Sequence, residues 1–176
     1  VLYVSDTTTE INQFAYYGSA GGVLTNIDWG NSEVKTIGTS AFQQNHITSL
    51  TIANSVTEIR GAAFAQNSMN SLTFGNSLKI IGDQAFGINN ITYLTIPNSV
   101  TEIGYQAFFD NSLISLTIPN SVTTIEDYAF YKNPNLSDVI MPYDLSNRKD
   151  AIFNSNPFPT IKYSLVIHDG VTTISN

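Results

Sequence analysis

Ala-Phe pairs recur at Ala41-Phe42, Ala63-Phe64, Ala85-Phe86, Ala107-Phe108 and Ala129-Phe130, each 22 residues after the last. A fixed period in the twenties leaves little choice of fold. A unit this short cannot bury an apolar face alone, so consecutive units must stack into a solenoid that shares one core. Other columns keep the register. Ile37, Ile59, Ile81, Ile103 and Ile125 stand four residues before each Ala, and Asn45, Asn67, Asn89, Asn111 and Asn133 three after each Phe. Ile47, Met69, Ile91 and Leu113 follow, with Leu136 one residue late.

Each repeat then runs through an apolar alternation, as at Leu94-Thr95-Ile96, which reads as a short strand with one face inward. Pro-Asn-Ser-Val at 97–100 and 119–122 turns the chain, Pro fixing φ and Asn and Ser bonding locally to the backbone. The next strand lies parallel, about 4.8 Å away. Strands are predicted to centre on Ile27, Leu50, Leu72, Leu94, Leu116 and Val139, with the five Phe side chains in one buried column. The Asn column is predicted to satisfy backbone groups inside the turn.

The predicted fold is therefore a single-domain, right-handed, β-rich superhelix of about seven coils of 22–23 residues with parallel strands. Its first coil, 1–30, is irregular; 31–142 are regular; 143–163 are irregular; 164–176 begin a last, partial coil. Leu2-Tyr3-Val4 matches Leu50-Thr51-Ile52, Trp29 takes an inward position, and Tyr16 replaces Phe with cap-like packing. Ser19 to Gly22 reads as an insertion. Ile152-Phe153 and Asn156 continue the register one residue late, and Leu165-Val166-Ile167 reads as the final strand. Both termini fall inside repeats. A bare terminal coil exposes apolar surface, so the native polypeptide is expected to continue beyond at least one end, or the terminal segments to fold over the ends.

Leu-Thr-Ile-Pro-Asn-Ser-Val-Thr-Glu-Ile-Gly-Tyr-Gln-Ala-Phe at 94–108 resembles the BspA-type, or treponemal, leucine-rich repeat. The resemblance covers nearly the whole chain and weakens over 1–30 and 143–163. One departure is the Asn column, where the family often has Cys. The resemblance implies a non-catalytic binding or adhesion module of an exported or cell-surface bacterial protein. Its partner would be an extracellular protein, such as a host matrix protein, or a glycan.

Bulk properties narrow the partners independently. A net charge of −7 and a pI near 4.5 argue against nucleic acid and anionic membranes, which need basic patches. Only 12% of residues are charged while mean hydropathy is near zero, so the surface is built largely from Ser, Thr, Asn and Gln. Such a surface suits glycans or proteins better than ionic partners. Cysteine is absent, which excludes disulfides and thiolate metal sites. No apolar run approaches the ~18 residues of a membrane-spanning helix.

No catalytic, cofactor or metal constellation emerges. His46 and His168 are isolated, and neither a Gly-x-Ser-x-Gly elbow nor a His-Glu-x-x-His pair occurs. Glu58 and Glu102 share a column two coils apart, roughly 10 Å by the strand spacing. Asp83, Asp110 and Asp127 lack calcium-loop spacing. The outward strand positions are more informative. Ser49, Ser71, Tyr93, Ser115 and Asp138 form one ladder; Thr51, Thr73, Thr95 and Thr117 form the next, ending at Ile140. Ser71, Thr73, Tyr93, Thr95, Ser115 and Thr117 are the candidate ligand contacts, against the plainer reading that hydroxyls suit any solvated strand. A second candidate is the aromatic group Tyr105, Phe109, Tyr128 and Tyr131. A third is the irregular segment 143–163, either a cap or an interaction loop. Alternative functions are an accessory module that binds carbohydrate or positions substrate beside an enzyme domain, a structural spacer, and ice binding through the Ser-x-Thr ladder.

Overall fold

The computed structural model describes residues 1–18, 24–154, 156 and 160–164. It is a parallel-strand β-solenoid of about seven turns. Each regular turn contributes one strand to a front face and one to a back face. The front strands are β1 (Leu2–Tyr3), β3 (Ile27–Asp28), β5 (Ser49–Thr51), β7 (Ser71–Thr73), β9 (Tyr93–Thr95), β11 (Ser115–Thr117), β13 (Asp138–Pro142) and β14 (Thr160–Ser164). The back strands are β2 (Glu10–Ile11), β4 (Thr36–Ile37), β6 (Glu58–Ile59), β8 (Ile80–Ile81), β10 (Glu102–Ile103) and β12 (Thr124–Ile125). The predicted strand centres are the buried residues of the front strands. The back strands carry the Ile37, Ile59, Ile81, Ile103 and Ile125 column of the sequence.

A spine of phenylalanines fills the space between the faces. Phe42, Phe64, Phe86, Phe108 and Phe130 are fully buried. Their rings stack with centroids 5.1–5.4 Å apart and planes within 9° of parallel. Tyr16 extends the stack at one end, 5.3 Å from Phe42, and Phe153 at the other, 5.7 Å from Phe130. Burying one Phe contributes about 1.5–3 kcal/mol.

The Asn column runs beside it and answers the backbone question raised by its sequence. Asn89 Nδ2 donates to the carbonyls of Phe86 (3.2 Å) and of Phe64 in the coil before (3.1 Å). Its Oδ1 accepts from the Met69 amide at 3.1 Å. Asn67, Asn111 and Asn133 repeat the pattern, and Asn156 continues it by bonding Phe130 O and Asn133 N. Each amide side chain thus ties two coils together through groups that would otherwise be buried unpaired.

The Ala-Phe turn carries a feature that its sequence does not announce. The residue before each Ala (Ser40, Ala62, Gln84, Gln106, Tyr128) and the second after each Phe (Gln44, Gln66, Ile88, Asp110, Lys132) all have φ between 54° and 60°. None is glycine, and such backbone is rare for other residues. Interstrand pairing imposes it. Alternate turn amides donate to the next coil, as Ala62 N to Asp83 O (2.7 Å), Phe64 N to Ala85 O (2.8 Å) and Gln66 N to Gly87 O (2.9 Å).

One front strand lies outside the predicted set of strand centres. That strand is β14, and Ile161 lies beside Val139, a spacing that preserves the 22-residue period through the irregular coil. Its detour is a 3₁₀ turn at Tyr143–Arg148 and one short helix, α1 (Lys149–Ile152). Within this segment Phe153 and Asn156 keep their places in the spine and the Asn ladder. One expectation needs correction, that the front ladder is continuous. It is interrupted between β3 and β5 and again between β7 and β9, whereas all six back strands form one sheet. The insertion at 19–22, residues 165–167 and His168 lie outside the described residues.

Candidate binding face

The inward and outward alternation of each front strand is set by the core. Leu50, Leu72, Leu94 and Leu116 point in, so their neighbours must point out. Ser49 faces Ser71, and Thr51 faces Thr73, across β5 and β7. Tyr93 faces Ser115 and then Asp138; Thr95 faces Thr117 and then Ile140. The six candidate contacts Ser71, Thr73, Tyr93, Thr95, Ser115 and Thr117 all lie exposed on this one face. The structure brings them together, with the β7–β9 interruption passing between Ser71-Thr73 and Tyr93-Thr95. Tyr93 is 69% exposed, the largest apolar surface on the central strands. From β5 to β11 the outward strand positions carry no charged side chain; Asp28, Asp138 and Lys162 stand only toward the ends.

One residue of this face was passed over. Tyr3 is 75% exposed and pairs beside Asp28 in the column that continues as Thr51 and Thr73. The match of Leu2-Tyr3-Val4 to Leu50-Thr51-Ile52 already placed it outward.

The sequence matches the BspA type leucine rich repeat region in six copies, over residues 2–109 and 57–176. The chain belongs to this family. No curated protein matches it. Among solved structures, a leucine-rich repeat protein from Eubacterium ventriosum is 32% identical over 68% of this chain, with a TM-score of 0.60. A leucine rich cell surface protein from Faecalibacterium prausnitzii is 31% identical over 78% of the chain, with a TM-score of 0.66. A leucine-rich repeat protein from Bacteroides ovatus is 27% identical over 66%, with a TM-score of 0.51. The chain spans 32–37% of the length of these three structures.

The second candidate group divides within this BspA-type frame. A Cβ on Gly87 would sit 2.5 Å from Phe109 Cδ1 and Cε1, so the Phe109 ring packs against the glycine of the preceding coil. Phe109 is core edge. Tyr105, Tyr128 and Tyr131 make an edge-to-face chain, with centroids 5.9 and 5.6 Å apart, and Lys132 Nζ stands 5.5 Å from the Tyr131 ring centre. Three half-exposed rings that mainly touch each other offer less free surface than Tyr93.

On the back face, Glu58 and Glu102 are separated by Ile80. Glu58 pairs with Arg60, which also reaches Glu10 at 3.6 Å. Such exposed pairs contribute at most about 1 kcal/mol, and their geometry is that of a solvated sheet. Among the described residues no group of three His, Asp or Glu side chains could hold a metal ion. No described helix is long and apolar enough to cross a membrane.

Proposed function

We propose that this chain is a non-catalytic binding module of an exported or cell-surface protein, which recognises an extracellular protein or glycan on its front face around Tyr93. The observation that carries the reading is the environment of Tyr93: an exposed aromatic ring, apolar in body and polar at its tip, among outward hydroxyls on a rigid parallel ladder. Leucine-rich repeat proteins from Eubacterium ventriosum and Faecalibacterium prausnitzii, the second a cell surface protein, are its structural relatives, and this supports the location. The uncharged surface suits a partner recognised by shape and hydrogen bonds, so affinity is expected to change little with salt.

The test is a binding array of matrix proteins and oligosaccharides, followed by titration of Tyr93→Ala and Thr95→Ala against whatever binds. Both variants are expected to lose affinity while circular dichroism stays unchanged, because the side chains point into solvent. Unaltered affinity in both would move the site away from this face, with the Tyr105, Tyr128 and Tyr131 edge next in line.

A further inference from the structure

The two gaps in the front ladder share a cause. The inward residue that closes each front strand from β1 to β13, one past the strand's end except in β13, is Val4, Trp29, Ile52, Phe74, Ile96, Ile118 or Met141 in turn. The strand pairs normally with its successor after every aliphatic residue and fails to pair after both aromatic ones. Phe74 reaches forward: its ring meets Phe86 edge-on at 5.5 Å and Phe108, one coil ahead, at 6.5 Å. A ring in that place coincides with the lost pairing of β7 and β9. Gly75 lets the chain lean the other way. A Cβ there would meet Ala53 O at 2.6 Å and Asn54 Cα at 2.7 Å, so the turn after β7 presses against the preceding coil. Regular coils have Pro97 or Pro119 at this position.

Between the leaning turn and Pro97 lies a cleft of about 580 Å³, within the roughly 300–1,000 Å³ range of small-ligand sites. Phe74, Ile96 and Pro97 give it an apolar lining. Thr73, Thr95, Ser99, Asn76 and Asn98 give it three hydroxyls and two amides. Each of these five side chains both donates and accepts hydrogen bonds, and no lining residue is charged. Thr95 shares its strand face with Tyr93, so the cleft opens beside the exposed ring. The gap between β3 and β5 is a poorer counterpart. Trp29 Nε1 already donates to Thr51 O there at 2.6 Å, and Asp28 lines it.

We infer that the β7–β9 cleft is a subsite for a neutral oligosaccharide. Paired hydroxyls and amides above an apolar lining match the two-sided chemistry of a pyranose, whose hydroxyls donate and accept and whose C–H face is apolar. The absence of charge disfavours sulfated, phosphorylated or uronic-acid sugars. The inference deepens the front-face reading and rests on it for the choice of ligand class.

The test uses the full chain on an array of neutral and acidic oligosaccharides, with matrix proteins as a third arm. Neutral oligosaccharides are expected to bind. Asn98→Ala, which alters an exposed side chain, and Phe74→Ile, which restores the aliphatic residue of the paired coils, should each weaken that binding at least tenfold, on the order of 1.4 kcal/mol. Tyr131→Ala should leave it unchanged, and thermal melts should confirm folding of every variant. Amide shifts on adding the bound sugar should cluster at 73–76 and 95–98. A chain that binds no neutral oligosaccharide overturns the inference, as does wild-type affinity in both cleft variants. If Tyr93→Ala abolishes binding to a matrix protein while the cleft variants bind normally, the face is functional and the cleft is not. If the cleft variants lose sugar and Tyr93→Ala does not, the cleft stands and the Tyr93 reading falls.

Discussion

The back face is one uninterrupted sheet, while the front face is three separate ones. The difference follows from the inward columns. Behind, every coil contributes the same residue, Ile11, Ile37, Ile59, Ile81, Ile103 and Ile125, none more than 6% exposed. Identical side chains demand identical spacing, and the ladder closes throughout. In front, the closing column mixes aliphatic residues with Trp29 and Phe74, and the ladder opens after each aromatic. Charge divides the same way. Glu10, Glu58, Glu102 and Arg60 lie behind, while the central front strands carry only hydroxyls and Tyr93. Uniformity builds the scaffold, and departures from it build surface features, in the same 22-residue framework.

The severest way to break this comparison is to remove what both faces rest on. Phe86 stacks between Phe64 and Phe108 and is fully buried. Phe86→Ala should destabilise the chain by about 3–5 kcal/mol, as large-to-small core changes do, and hydrogen exchange should accelerate on both faces together. Faster exchange on one face alone would show that the spine does not couple them. Asn89→Ala is the next largest effect. It strips Met69 N of its partner and leaves Phe64 O and Phe86 O with the single donors Asn67 and Asn111, and roughly 1–3 kcal/mol is expected from leaving a buried amide unsatisfied. Equal urea midpoints for variant and wild type would reduce the Asn column to a turn preference.

The repeat columns made the coil count, the Phe spine, the Asn ladder and the outward hydroxyls legible before any coordinates, because each is a property that recurs every 22 residues. What escaped reading is what happens only once or twice. Trp29 was placed inward correctly, yet nothing in a hydrophobic pattern distinguishes an inward Ile from an inward Phe74, since both satisfy the alternation. Their difference is one of size, felt only when coils are stacked. The strand β14 was missed for a related reason: Thr160-Ile161-Lys162 carries a single apolar residue, but the 22-residue period places Ile161 beside Val139. The left-handed turn residues were hidden because Gln, Ser and Ile do not advertise positive φ. The candidate face was legible as a set of outward residues; the cleft through it was not.

If aromatic size opens the front ladder, the effect should transplant. Ile96→Phe places a ring between β9 and β11, which pair normally. Overpacking of this kind costs about 1–3 kcal/mol, and the amides of β9 and β11 should exchange faster while β10 behind them keeps its protection. Pro97 follows Ile96, whereas Gly follows both natural aromatics. Ile96→Phe alone is expected to open the ladder less than Ile96→Phe combined with Pro97→Gly. Retained protection in the double variant would disconnect the gaps from residue size.

The smallest effect asks whether the contrast arises in the strands or in the turns that join them. The turns follow one pattern from coil to coil, with left-handed residues at matching positions. Ile88 is the least suited of these, a β-branched residue at φ 55° and 39% exposed. Replacing it with Ala or with Gly removes the same burial, so comparing the two variants isolates the backbone term. A left-handed conformation costs an L-residue about 1–2 kcal/mol, and Gly gives back roughly 0.5–1 kcal/mol of that in chain entropy. Ile88→Gly should therefore be more stable than Ile88→Ala by about 0.5–1 kcal/mol, the reverse of their order inside a helix or strand. Exchange across the β7–β9 gap should not differ between the two. If easing the turn also closed that gap, turn geometry rather than Phe74 would set the spacing of the front strands, and the back sheet would owe its continuity to something other than its uniform isoleucines.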